Sequence, residues 1–531
     1  MRVKPRMLPL GVQSFEKLRQ NGYVYVDKTK YIYDLVQSGT RFFLSRPRRF
    51  GKSLFVSALA AYWEGKRDLF KDLYIEGKEG IGENSWQSYP VFYFDFNSVD
   101  LQADHALEKV LDWHLEGWEK IYGLEKSEYT LAGRFKNLLL KAHEVTGLRC
   151  VVLVDEYDKP LMDVYGDWEK DKHYRDVLKG FFSVLKSFDK DLQFVFITGV
   201  TEFNKVSIFS DLNHLTDISL NDRFSGICGI TEKEMIAGFK PEIRRLMTLN
   251  QMTREACLQK LKQTYDGYHF SGKGEAVFNP FSLLSAFWQE SFGFYWFESG
   301  TPTFLVKRLR KLCYDVRQFS DKHLYATEKR ISDYRAGEMN RDDEDLIPLF
   351  YQTGYLTIKA YQADRNRYSL GFPNEEVKYG FLDSLMPEYT PAVQTLSGKD
   401  IFSICEYIET GCLENVRDAL TALYASISYT SQDQAYEHYF QIVIYLVFTL
   451  LNQYVCTEIH SALGRADCIV ETEKYVYIFE FKLDKSADDA LSQIEQQGYA
   501  KPYAADTRKL FRIGVNFDSS IRNISEWKVQ T

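Results

Sequence analysis

The first half of the chain alternates short apolar runs with longer amphipathic stretches. The runs typical of buried strands are Arg41–Ser45, Pro90–Phe96, Cys150–Val154 and Leu192–Thr198. Stretches with helical periodicity separate them, such as Leu54–Trp63 and Tyr174–Phe188. Strands that alternate with helices form parallel sheets covered on both faces. The pattern therefore predicts an α/β domain over residues 1–230.

The pattern changes over residues 231–395. From Thr231 to Phe350 the chain has mostly helical periodicity. Two alternating runs around a polar turn then fill Gly354–Asn374, which is typical of a β-hairpin. Helices followed by a hairpin predict a mainly helical middle region of winged-helix-like character.

The last part of the chain, residues 396–531, returns to a mixed pattern after the polar hinge at Leu396–Lys399. Its predicted elements are helix Asp433–Asn452, strands Ala466–Val470 and Tyr475–Lys482, helix Ala487–Tyr499 and strand Leu510–Asn516. This order predicts a second, C-terminal α/β domain.

Composition narrows the class of protein. The chain has 531 residues, which is too many for one hydrophobic core, and 45% apolar and 26% charged residues are ordinary globular values. The net charge of −8 excludes a uniformly basic nucleic-acid binder but leaves room for a local basic groove. The eight cysteines form no CxxC pair, the N-terminus has no apolar run of signal-peptide length, and the longest apolar stretch, Tyr439–Leu451, is too short to span a membrane. We expect a cytoplasmic protein without a membrane partner.

A Gly-Lys-Ser sequence follows the first predicted strand. The segment Ser45–Ser53, SRPRRFGKS, precedes a helix that begins at Leu54, and this is the context of a phosphate-binding P-loop. There Gly51 lets the backbone approach phosphate, Lys52 reaches the β- and γ-phosphates of ATP, and Ser53 offers its hydroxyl to Mg²⁺. The alternative is a chance tripeptide at the start of a helix.

The loop is strongly basic and departs from the GxxxxGK[ST] pattern. Arg46 occupies the position of the first glycine, and Arg48 and Arg49 follow it. These side chains either contact phosphate or solvate the loop, and the sequence leaves both interpretations open. We include Arg49 among the expected nucleotide contacts.

Acidic residues end a later apolar strand. CVVLVDEYDKP leads into Asp155, which is an expected Mg²⁺ ligand, and Glu156, which is an expected orienting group for the attacking water. A solvated strand end is the alternative, and the Gly-Lys-Ser loop upstream weakens it. The strand LQFVFITG ends in Thr198, either a sensor of the γ-phosphate or a buried turn residue.

The C-terminal domain carries a second group of carboxylates. Glu480 and Lys482 are two residues apart on one predicted strand and so share a face, and a turn at Glu471–Lys474 brings Asp467 beside Glu480. Two carboxylates and a lysine suit metal-assisted phosphodiester hydrolysis with Mg²⁺ or Mn²⁺. A cross-strand charge pair is the alternative for Glu480 and Lys482.

Other polar residues nearby bear on that choice. Gln493 on the following helix favours the metal site. Glu437 and Glu458 are further acids within reach in sequence, although each is more often a solvated surface residue.

Distinctive segments follow one another along nearly the whole chain, and they are YVDKT, RPRRFGKS, DEYDKP, ITGV, SIFSDLNHLTDIS, YDGYHF, FNPFS, GYLTI, GFPNEEV, GRAD and FEFK. Together they resemble a bacterial family with an N-terminal AAA-ATPase-like domain and a C-terminal PD-(D/E)XK nuclease-superfamily domain. The resemblance implies an ATPase-like domain at 1–230, a helical lid and winged-helix-like region at 231–395, and a restriction-endonuclease-like domain at 396–531. Ala466 stands where that nuclease core usually has proline.

The resemblance also implies roles for the residues singled out above. Lys52 and Ser53 bind ATP and Mg²⁺, and Asp155 and Glu156 form the acidic strand-end motif. Three nuclease-core positions fall on the residues Asp467, Glu480 and Lys482.

The leading hypothesis is an ATP-binding protein whose nucleotide state controls a metal-dependent nuclease domain. DNA is favoured over RNA as its substrate. A nucleotide-driven signalling or scaffold switch with a non-cleaving C-terminal domain is the second. The third is a regulator that binds DNA through the hairpin after Gly354. A homo-oligomer is left open.

Overall fold

The computed structural model describes residues 6–79, 86–97, 101, 103, 105–126, 130–164, 167–201, 215–298, 305–306, 309, 314, 316–320, 324–332, 346–389, 399–425, 436–454 and 467–531. The chain forms two compact units, one of Met1–Trp296 with Lys322–Glu376 and one of Phe297–Asp321 with Val377–Thr531. The domain limits at 230 and 395 stay predictions. Within the described ranges, no helix has the length and apolar character needed to cross a bilayer.

A parallel five-stranded sheet forms the centre of the first unit. Its strands are β1 Arg41–Ser45, β2 Val91–Asp95, β3 Cys150–Asp155, β4 Leu192–Gly199 and β5 Thr216–Asp217. They lie in the order β2-β3-β4-β1-β5, and every neighbouring pair is parallel. The carboxyl ends of all five strands therefore meet at one edge. The predicted α/β class is confirmed.

Helices cover this sheet. They are α1 Phe15–Gln20, α2 Thr29–Ser38, α3 Lys52–Trp63, α4 Glu76–Glu79, α5 Ala106–Tyr122, α6 Leu131–Thr146, α7 Lys159–Asp163, α8 Trp168–Phe182 and α9 Val184–Ser187. Strand β3 is buried along its whole length, as its uniformly apolar sequence requires. Aromatic rings fill one face, where Phe94 of β2 packs against Phe135 of α6 and Phe181 of α8.

The following region is mostly helical, as predicted. Its helices are α10 Glu232–Gly238, α11 Lys240–Leu249, α12 Arg254–Tyr265, α13 Pro280–Gln289, α14 Tyr295–Glu298, α15 Glu328–Ser332, α16 Ile347–Gln352 and α17 Glu375–Tyr389. Its strands are β6 Ile230–Thr231, β7 Val277–Phe278, β8 Tyr325–Ala326, β9 Thr357–Gln362 and β10 Arg367–Gly371. Strands β9 and β10 form the predicted hairpin, and β8 adds a third strand beside β10.

The second unit contains a mixed four-stranded sheet. Its helices are α18 Lys399–Thr410, α19 Leu413–Ala425, α20 Tyr436–Tyr454 and α21 Ala487–Gln497, and its strands are β11 Cys468–Glu471, β12 Tyr475–Leu483, β13 Lys509–Asp518 and β14 Asn523–Gln530. The strands lie in chain order, with β12 and β13 parallel and the outer pairs antiparallel. Helix α21 packs closely on the sheet at Gly514, where a Cβ atom would lie 2.3 Å from the carbonyl oxygen of Ala487.

Candidate functional site

The Gly-Lys-Ser segment forms a loop between β1 and α3. Gly51 precedes the helix with a φ of 92°, in the left-handed region where a side chain is strained, and α3 begins at Lys52. No atom lies within 4 Å of the position of a Cβ on Gly51. The loop thus presents open backbone at the start of a twelve-residue helix, where unpaired N–H groups attract anions.

Lys52 is held inside the loop rather than extended into solvent. Lys52 is only 4% exposed, and its Nζ donates hydrogen bonds to the carbonyl oxygens of Arg46 and Pro47 at 3.0 and 3.1 Å. The ammonium charge is consequently fixed at the loop by backbone groups.

Arg46 has a structural position. It is 2% exposed, and its guanidinium donates to the carbonyl oxygens of Ser45, Ser219 and Phe224. The same group lies 4.3 Å from the ring centroid of Phe270. Arg46 therefore fastens the loop to later segments of the unit, and it does not solvate the loop.

The other two loop arginines are exposed. The guanidinium of Arg49 lies 4.6 Å from the ring centroid of Phe281, and its backbone has a φ of 70°. Arg48 is close enough to Glu156 to favour the charged form of that carboxylate.

Asp155 ends β3 with a buried carboxylate that is only partly compensated. The residue is 0% exposed, and neither carboxylate oxygen accepts a hydrogen bond within normal limits from a described residue. Burial raises the pKa of Asp155 to about 6, while the nearby Ser53 hydroxyl and Lys52 ammonium counteract that rise. A carboxylate without hydrogen-bond donors is what a cation-binding position needs.

Glu156 and Thr198 lie next to this carboxylate in the fold. Glu156 has a φ of 53°, a strained value for a residue with a side chain, and burial raises its pKa. The Thr198 hydroxyl is buried without a partner among the described residues. Register places β4 between β1 and β3, so Thr198 pairs with Leu44 on one side, and its carbonyl accepts the N–H of Tyr157 on the other.

The second site forms on the hairpin of β11 and β12. The carboxylate of Asp467 accepts the backbone N–H of Phe481 at 2.8 Å, and the N–H of Asp467 points to Glu480 Oε2 at 3.4 Å. Lys482 Nζ donates to Glu480 Oε1 at 2.9 Å and to Gln493 Oε1 of α21 at 2.6 Å. The predicted turn thus brings the three residues together, and Gln493 orients the lysine.

Burial affects the charges of this second site as well. Glu480 is 1% exposed, and burial together with the neighbouring Asp467 raises its pKa, while Lys482 lowers it. Asp467 is exposed, so the pair has one buried and one accessible carboxylate. Glu437 lies in α20 without a described side chain, and Glu458 and Ala466 fall outside the described residues.

Comparison with known proteins covers both sites. A family model described as a predicted AAA-ATPase matches residues 9–209, and one for the PD-(D/E)XK nuclease superfamily matches residues 435–527. An Azotobacter chroococcum mcd 1 protein described as "Uncharacterized protein in vnfD 5'region" is 34% identical over 538 residues, which cover 99% of each chain. The chain belongs to this AAA-ATPase-like family. The ATPase-like match contains the phosphate loop, and the nuclease-superfamily match contains Asp467, Glu480 and Lys482.

The ATPase-like domain has two site acids that the sequence reasoning missed. Asp95 ends β2 in register with Asp155, and its charge raises the pKa of that residue as a minor cause after burial and Glu156. Asp158 is 1% exposed and accepts the N–H groups of Val200 and Thr201, which fastens the acidic turn to the end of β4. The signal for Asp95 was available, since PVFYFDF is an apolar strand ending in aspartate like β3.

An apolar pocket opens beside the loop of the ATPase-like domain. It has a volume of about 580 Å³ including its open mouth, and residues from the N-terminal segment, the loop and later helices line it. The lining includes Val24, Tyr25, Phe50, Gly51, Leu54 and Leu284.

Proposed function

We propose that this protein binds and hydrolyses ATP and that its nucleotide state controls a metal-dependent nuclease domain acting on nucleic acid. DNA is the favoured substrate over RNA. One observation carries the proposal. A single chain holds two sites in which buried carboxylates meet a fixed lysine, one within an ATPase-like match and one within a nuclease-superfamily match. The cytoplasm is the proposed location.

The residues of the first site fit ATP and Mg²⁺. The bare oxygens of Asp155 and the hydroxyl of Ser53 would hold the ion, which when bound neutralises charge on phosphate oxygens. Lys52 would exchange its bonds to backbone carbonyls for phosphate oxygens. Glu156 would orient the attacking water, Thr198 would contact the γ-phosphate, and the accessible Arg49 would contact the nucleotide.

The residues of the second site fit a divalent cation in a different way. Asp467 and Glu480 supply the hard oxygen ligands that Mg²⁺ and Mn²⁺ prefer, and the bound ion would activate water and stabilise charge on a phosphodiester. Lys482, fixed by Gln493, would stabilise the same charge from the protein side. The buried Glu480 stays next to that lysine, which favours its charged form.

The test is cleavage of plasmid, single-stranded DNA and RNA by the full chain with Mg²⁺ or Mn²⁺, with and without ATP. We expect metal-dependent cleavage that changes with ATP and is lost in Asp467→Ala and Lys482→Ala, while both variants still bind ATP. Cleavage that survives both substitutions would refute the assignment of the site. Cleavage by the wild type that is indifferent to ATP would refute nucleotide control alone.

The net charge of −8 favours a second function, a nucleotide-driven switch whose C-terminal domain binds without cutting. Strong backbone binding to nucleic acid depends on Lys and Arg and weakens with salt. Absence of cleavage together with weak, salt-insensitive DNA binding would support the switch and a protein partner.

A further inference from the structure

Two histidines and a glutamate meet on the surface of the ATPase-like domain. His105 immediately precedes α5, Glu108 lies in the first turn of that helix, and His173 belongs to α8. Glu108 Oε1 is 2.6 Å from His173 Nε2 and 3.2 Å from His105 Nδ1. One donor atom from each residue lies within 4.8 Å of the other two.

Separate contacts hold the two sides of this cluster in place. Tyr174, the residue after His173, donates its hydroxyl to the carbonyl oxygen of Leu101 at 2.8 Å, which ties α8 to the connection between β2 and α5. His105 keeps a left-handed backbone with a φ of 55°, which is costly for a histidine. His173 therefore approaches the carboxylate from a helix that is positioned independently of it, whereas His105 and Glu108 share the start of α5.

We propose that His105, Glu108 and His173 form a binding site for a divalent transition-metal ion of the Zn²⁺ class. Two imidazoles and a carboxylate are a common zinc ligand set, and ligands about 2.0–2.1 Å from a tetrahedral ion lie about 3.3 Å from one another. The two distances from Glu108 Oε1, 3.2 and 2.6 Å, lie near that value, and the two imidazole donor atoms lie within 4.8 Å of each other.

The accessibility of the cluster agrees with a metal site. The side chains of His105 and His173 are 73% and 48% exposed, so an ion and a water as fourth ligand can reach them. Glu108 Oε2 is buried and accepts no hydrogen bond within normal limits from a described residue. In an ordinary surface ion pair both carboxylate oxygens are hydrated, so neither oxygen would be buried without a hydrogen bond.

A metal ion here would join two connections of the ATPase-like domain. Helix α5 follows β2, which ends in Asp95, and α8 lies after β3, which ends in Asp155. Both acids are at the sheet edge of the first site, so the ion would stabilise the segments that leave that edge. This inference is independent of whether the nuclease is active.

The test is Zn²⁺ titration of the full chain carrying Asp467→Ala, which removes the C-terminal carboxylate site as a competing ligand. Binding is measured against a chromogenic chelator, and Co²⁺ is added in parallel to record its visible absorption bands. We expect one equivalent bound, with affinity falling at least about tenfold in His173→Ala and in Glu108→Gln, as loss of one ligand requires.

The matched control is His143→Ala, which removes an imidazole that pairs with Asp191 elsewhere in the domain. We expect it to bind Zn²⁺ like the background chain. Equal affinity in His173→Ala and His143→Ala, or binding of no Zn²⁺, would overturn the proposal. Thermal unfolding without metal checks that each variant is folded, and His173→Gln repeats the test if His173→Ala is not.

Discussion

The two carboxylate–lysine sites of this chain hold their charges differently. In the ATPase-like domain, Asp155 is buried, its oxygens accept no hydrogen bond within normal limits from a described residue, and the nearby Lys52 is bonded to backbone carbonyls. In the nuclease-superfamily domain, Glu480 pairs directly with Lys482. A buried charge without hydrogen bonds makes a folded protein less stable, whereas one in a direct ion pair is better compensated. A cation should therefore stabilise the first site more than the second, where it competes with an existing ion pair.

The largest expected effect comes from removing one charge of the Glu480–Lys482 pair. Lys482→Ala leaves Glu480 buried without its cation and removes the group proposed to stabilise phosphate charge. We expect cleavage to fall at least about 100-fold, the scale of losing one preorganised stabilising group. Initial rates on plasmid measure it. The control is Asp488→Ala, an exposed residue of α21 that pairs with Lys528, and it should cleave normally.

A second test concerns the frame that fixes Lys52. Arg46→Gly would restore the usual glycine of the loop pattern but would remove donors to three buried or part-buried carbonyl oxygens. We expect the free energy of unfolding to fall by about 3 kcal/mol, because each lost charge-assisted bond contributes about 1 kcal/mol or more. Calorimetry measures it, with the exposed Arg365→Gly as the control. An unchanged melting temperature would show that the arginine is dispensable.

Removing Lys52 should weaken nucleotide binding without changing metal binding at the second site. Lys52→Ala is expected to weaken ATP binding about 10- to 100-fold, since a charge-assisted bond to phosphate contributes about 1.5–3 kcal/mol. Fluorescent nucleotide titration measures the affinity, and metal binding at Asp467 and Glu480 should stay unchanged. Lys66→Ala, a surface lysine paired with Glu16, controls for loss of positive charge.

The smallest expected effect is that of the Asp155 carboxylate on the stability of the folded protein. The pKa of Asp155 is about 6 in the fold against an ordinary 3.8, so the folded chain binds its proton more tightly than the unfolded chain. The protonated Asp155 therefore contributes most to the free energy of unfolding below pH 3.8, and this contribution is lost as the pH rises to about 6. Asp155→Asn carries no such charge and should be more stable than wild type above that pH.

Relative to the wild type, Asp155→Asn should gain about 1–3 kcal/mol in the free energy of unfolding at neutral pH and close to zero near pH 4. The reason is that a tenfold change in proton affinity corresponds to about 1.4 kcal/mol. Calorimetry of both proteins across this range measures the difference. A gain that does not depend on pH would contradict the assigned cause. Mg²⁺ with ATP should stabilise the wild type more than the variant.

Much of the fold could be predicted because its strands are apolar and clearly bounded. Strand β1 matches its predicted limits, and β3 and β4 differ by single residues at their ends. The strand Asn523–Gln530 was missed because it lies at the sheet edge and is mostly exposed, so its sequence lacks the apolar signal of a buried strand.

The sites were predictable where neighbours in sequence become neighbours in space. Glu480 and Lys482 share a strand face, so alternation alone places them together. Asp95 could not be linked to Asp155 in the same way, because their proximity depends on the strand order of the sheet. The buried position of Arg46 likewise depends on contacts with Ser219 and Phe224, far along the chain.

The order of the strands also affects how the protein is made. Strand β4 lies between β1 and β3, so the phosphate loop and the acidic turn are in place only after residues near 199 have left the ribosome. The nuclease-core residues follow roughly 270 positions later, which at about 5–20 residues per second is a delay of roughly 13–54 seconds. A nascent chain can thus complete its proposed nucleotide site before the proposed nuclease residues have been synthesised, so under the proposed function the regulatory site forms first.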